Sequence, residues 1–87
     1  MTIVVSDYRN LYRWGARYAT DRTAGPVIDA AEYYVVADES EKSTVRMEFH
    51  EGVRNHAKSQ YKVDECMKDF EDWVSFWEGK YEMEKTR

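Results

Sequence analysis

Thr44-Val45-Arg46-Met47-Glu48-Phe49-His50 is the stretch on which the fold class turns. Val45, Met47 and Phe49 alternate with Arg46, Glu48 and His50, the two-residue period of a strand with one buried face. Upstream, Tyr33-Tyr34-Val35-Val36-Ala37 is rich in strand formers. Asp38-Glu39-Ser40-Glu41-Lys42-Ser43 between them is polar. Two such runs joined by a polar connector predict a β-hairpin with a loop longer than the tightest class, closed by Glu51-Gly52. Residues 53–62 have weak periodicity and leave two readings open, a third strand or a polar excursion.

Downstream the period changes. Val63, Met67, Phe70, Val74, Trp77 and Tyr81 recur at steps of three and four, one continuous stripe down an α-helix. Cys66, Trp73 and Phe76 widen the stripe, and Glu65, Lys68, Asp69, Glu71, Asp72, Ser75 and Glu78 fill the other side. Asp64 is the natural N-cap, Gly79 the C-cap, and residues 82–87 read as a frayed charged tail.

Toward the N-terminus, Thr2 to Val5 suits a small strand or an extended arm. Ser6 and Asp7 announce a helix. Tyr8, Leu11, Tyr12, Gly15, Tyr18 and Ala19 form one face of it. Arg9, Arg13 and Arg17 fall at steps of four on another, Asp21 continues their line, and Trp14 sits between the faces. Gly15 costs about 1 kcal/mol relative to Ala inside a helix, which suits either close packing or a weak point. The helix is predicted to end between Thr20 and Thr23, before Ala24-Gly25-Pro26. Val27 to Ala31 fits a short helical turn or the approach to a strand. The expected architecture is one α+β domain over residues 1–87. A small antiparallel β-sheet packs against the C-terminal amphipathic helix, with the N-terminal helix alongside.

Composition bounds the function. Eighty-seven residues leave room for one domain. A hydrophobic fraction of 43% with 34% charged residues describes a globular chain, not a disordered one. The apolar runs are too short to span a membrane, and the N-terminus lacks the pattern of a signal peptide. The lone Cys66 excludes an internal disulfide, and the cytoplasm is the simplest compartment. The net charge of -4 is uneven: residues 1–30 hold four Arg against three Asp, and residues 61–87 hold five basic against eight acidic groups.

Arg9, Arg13 and Arg17, one helical turn apart, have the geometry to grip carboxylates or phosphates, and Tyr12 and Trp14 among them could stack on a partner. These five are the expected partner-binding residues. The acidic face of the last helix, Glu65, Asp69, Glu71, Asp72 and Glu78 with Asp64, is the alternative patch. His50, His56 and Cys66 lack the paired spacing of a zinc site, so no metal is expected. The four glycines are isolated and make no phosphate loop, and no nucleophile sits in an elbow. No cofactor and no catalytic residue are expected, and the chain reads as a non-enzyme.

Size, a single compact α+β domain, acidic net charge, the aromatic helix Asp69-Phe70-Glu71-Asp72-Trp73-Val74-Ser75-Phe76-Trp77 and no catalytic apparatus together give a general character. In it the chain resembles the small phage or mobile-element proteins that disable host machinery, including anti-CRISPR proteins. The likeness covers the whole chain and carries over no functional residue. It implies a non-enzymatic, protein-binding inhibitor in the host cytoplasm that blocks a host protein or nucleoprotein complex such as CRISPR-Cas. Two other readings stand beside it: a small nucleic-acid-binding regulator using the arginine-lined first helix, and a homodimeric assembly subunit with an aromatic face. Either a monomer or a homodimer is compatible with the sequence.

Overall fold

The computed structural model describes residues 5–21 and 24–85, with side chains described for 10–21 and 24–83. It consists of four α-helices: α1 (Val5–Asp21), α2 (Ala24–Val36), α3 (Glu39–His56) and α4 (Gln60–Lys85). Among the described residues there is no strand. The expected α+β class is therefore overturned, and the fold is all-α.

The hairpin reading fails because its alternation is a fragment of a longer helical pattern. Val45, Phe49 and Val53 are fully buried at steps of four, and Gly52 is buried beside them, whereas Met47 is 53% exposed. That is the 3.6-residue period carried across all of α3. The polar stretch taken as a connector is the start of this helix. Asp38 stands at the N-cap with extended backbone, and its carbonyl accepts the Glu41 and Lys42 amides at 2.8 and 3.1 Å. Glu39 and Glu41 in the first turn, with Arg54 and His56 in the last, suit the helix dipole. Tyr33 to Val36 closes α2 instead of forming a strand. The buried positions of α2 are Pro26, Val27, Ala30 and Ala31, again at helical spacing, so tertiary burial overrides β-propensity.

Residues 53–62 are neither a strand nor a long excursion. They finish α3, turn through Ala57, Lys58 and Ser59, and begin α4. The Ser59 hydroxyl accepts the Lys62 amide at 3.3 Å, so Ser59 caps the helix one turn before the expected Asp64. α4 also runs through Gly79, the expected stop, and takes in most of the expected tail. Its 26 residues span about 39 Å at 1.5 Å per residue, nearly the 43 Å long axis of the molecule. Val5 already belongs to α1, and the expected arm at 2–4 lies outside the described residues.

All four helices feed one core. Phe49 of α3 stacks on Phe70 of α4 with centroids 4.8 Å apart, and Tyr34 of α2 meets Phe70 edge-on at 5.8 Å. Leu11, Val27, Val45, Val53 and Cys66 complete the fully buried set. The apolar stripe of α4 is thus covered by helices and not by a sheet. α1 and α3 make the most intimate contact. A Cβ on Gly15 would collide with the Phe49 carbonyl and stand 3.0 Å from the Val53 nitrogen. A Cβ on Gly52 would collide with the Tyr12 carbonyl and stand 2.8 Å from the Ala16 nitrogen. Of the two roles open to Gly15, close packing is the one it plays.

Candidate functional site

The α1–α3 crossing positions the arginine face. Because Gly15 and Gly52 bring the backbones together, the flanking turn of α1 lies against the end of α3. Tyr12, Arg13, Ala16, Arg17, Thr20, Asp21 and His56 line an open groove of about 410 Å³. Tyr12 is held there by an edge-to-face contact with His56 at 6.0 Å and by the Asn55 side-chain amide, which donates to its hydroxyl at 3.2 Å. The groove continues into a recess of about 310 Å³ lined by Ala19, Thr20, His56, Lys58 and Lys62. Thr20 and His56 belong to both.

Four fixed cations, Arg13, Arg17, Lys58 and Lys62, therefore border two adjoining hollows, with Asp21 the acidic residue in the wall of the first. Arg17 lies 4.0 Å from Asp21, and Lys62 lies 3.9 Å from Glu65 at the outer edge. Both pairs are solvated, so each is worth at most about 1 kcal/mol and yields readily to a partner. Arg13 and Arg17 are exposed, while Tyr12 and His56 supply an aromatic floor.

Of the five residues expected to bind a partner, three are brought together: Tyr12, Arg13 and Arg17. Arg9 lies one turn earlier on the α1 backbone, and its side chain is outside the described residues. Trp14 is not part of the groove. It packs edge-on against Tyr33 at 6.2 Å and lines a separate cleft of about 400 Å³ with Asp29, Glu32, Val36 and Tyr81. A step of one residue turns a side chain about 100° around a helix, so Trp14 and Arg13 face different neighbours. His56, Lys58 and Lys62 are the residues the sequence reading missed. Their one sequence signal is the cluster of basic and aromatic-capable side chains in 54–62, which points nowhere until α3 is known to end beside α1.

The alternative acidic patch is largely engaged within the molecule. Asp69 accepts the Tyr18 hydroxyl, Glu71 accepts Arg46 Nε at 2.7 Å, and Asp64 accepts Gln60 Nε2 at 2.9 Å. Asp72 and Glu78 remain exposed. His50, His56 and Cys66 are not brought together, and Cys66 is buried in the core. Among the described residues no group of three or more His, Cys, Asp and Glu is placed to hold a metal ion. Among the described residues no helix is long and apolar enough to cross a membrane.

Comparison with protein-family models, with curated proteins and with solved structures finds no match to this chain.

Proposed function

We propose that the protein works by binding and not by catalysis: a small blocking protein whose α1–α3 groove seats an acidic segment of a protein partner. The observation that carries this reading is convergence. In a chain of net charge -4, cations from α1, the α3–α4 turn and α4 border two adjoining hollows that meet at His56, which packs on Tyr12. Basic walls over an aromatic floor fit a peptide that carries carboxylates beside apolar side chains. A long polyanion is a poorer fit. It would meet only these few cations and then the acidic remainder of the surface, so few counterions would be released.

The test is a comparison of immobilised wild-type protein with the double variant Arg13→Glu, Arg17→Glu in lysate of the cell type that carries the gene. Both positions are exposed, so the variant keeps its helical circular dichroism. The reading expects a protein captured by the wild type, released by moderate salt, absent from the variant's eluate, and inhibited when the wild type is added back in equal amount. Equal capture by both proteins removes the groove from the interaction. Capture abolished by nuclease replaces the protein partner with a nucleic acid.

A further inference from the structure

The second half of α4 carries an apolar ridge on the side away from the core. Phe76 is 52% exposed and Met83 66% exposed, and half-buried Trp73 touches Phe76 edge-on with centroids 5.3 Å apart. At about 100° per residue, Asp72, Trp73, Gly79, Lys80 and Met83 all lie within about 60° of Phe76 on the helix surface. Gly79 in this ridge has no intramolecular reason to be glycine. Nothing lies within 4 Å of where its Cβ would be, in contrast to Gly15 and Gly52. A bare position in a solvent-facing helix costs about 1 kcal/mol relative to Ala, and it sits three residues from an exposed ring.

We infer that this ridge is the contact between two copies of the chain, with the α4 helices antiparallel about a two-fold axis at Phe76. The charges choose the direction. Asp72 and Lys80 stand four residues to either side of Phe76. An antiparallel pair brings each Lys80 to the level of the other copy's Asp72 and Trp73, a carboxylate and a ring face that both attract an ammonium. Parallel pairing would set Asp72 beside Asp72 and Lys80 beside Lys80. Lys80 Nζ already lies 5.0 Å from the Trp77 ring centre within one copy, a contact of the same kind as the one the other copy's Trp73 would offer. Gly79 falls at the level of the other copy's Trp73 on the opposite flank of the seam, where its missing side chain lets the helix axes approach. Phe76 meets its own counterpart at the centre. The face is about 18 Å long on one helix, too small for a standard interface, so the dimer is expected to be a weak one.

Sedimentation velocity from about 5 to about 500 μM tests this, since a micromolar equilibrium crosses that range. The expected result is a concentration-dependent shift from monomer to dimer mass. Phe76→Ser abolishes the shift while the helical circular dichroism is kept, because Phe76 lies outside the core. Asp72→Lys alone and Lys80→Asp alone each raise the dissociation constant about tenfold, from two symmetric pairs lost per dimer. The double exchange Asp72→Lys, Lys80→Asp restores it. Three results overturn the inference: monomer mass throughout the range, a dimer indifferent to Phe76→Ser, or single charge variants not rescued by the double exchange. A monomer that gains mass only when a different protein is added overturns it as well.

Discussion

α1 meets α3 through bare backbone, whereas α2 meets α4 through the tips of long side chains. At the first crossing, Gly15 faces the Phe49 carbonyl and Gly52 faces the Tyr12 carbonyl, with no side chain between. At the second, the Trp77 indole donates to the Ile28 carbonyl at 3.2 Å, the Tyr81 hydroxyl donates to Glu32 at 2.7 Å, and Tyr34 leans on Phe70. The difference is one of adjustability. Side chains can change rotamer and absorb an ångström, but two apposed backbones have nothing to rearrange. The groove proposed to bind a partner stands on the rigid crossing, and the aromatic ridge stands on the adjustable side.

Gly52→Ala is the strongest attempt to break this contrast. The added methyl must push α1 off α3, with an expected loss of about 3 kcal/mol and a fall in Tm of roughly 15 °C for a domain of this size. Thermal denaturation measures it, and a loss below about 1 kcal/mol would mean that the crossing yields as easily as the other one. Trp77→Phe removes the indole hydrogen bond but keeps a ring in place, for about 1 kcal/mol. Urea denaturation giving about 3 kcal/mol instead would make the two crossings equally rigid. Gly79→Ala comes last and has the opposite sign. In dilute solution it should stabilise the chain by up to about 1 kcal/mol, because the position is open. A loss of stability would show that Gly79 is constrained as Gly15 and Gly52 are.

The two end helices were legible in the sequence because each carries an apolar stripe long enough to outvote local propensity. The middle of the chain misled for a physical reason. Over seven residues, Thr44-Val45-Arg46-Met47-Glu48-Phe49-His50 satisfies a two-residue period, and only Gly52 and Val53 beyond it reveal the helix. Met47 belongs by size to a core but stands in solvent. Asp38 followed by Glu41 at the N3 spacing was the available helix signal, read instead as a loop. The arginine row was legible in part, since Tyr12, Arg13 and Arg17 do share a groove. Trp14, placed between the faces by its spacing, takes the side of Tyr33, and His56, Lys58 and Lys62 depend on a tertiary contact that no spacing encodes.

The glycine crossing also bears on descent. Every charge in the groove is solvent-facing, so a lineage pressed by a changing partner can exchange its arginines and lysines without unfolding. Positions 15 and 52 have no such liberty, because each substitution there is felt by the opposite backbone. Two helical glycines 37 positions apart, each followed directly by a small or β-branched residue, Ala16 and Val53, are therefore the trace by which distant relatives of this chain should be recognised, after the binding surface itself has drifted past recognition.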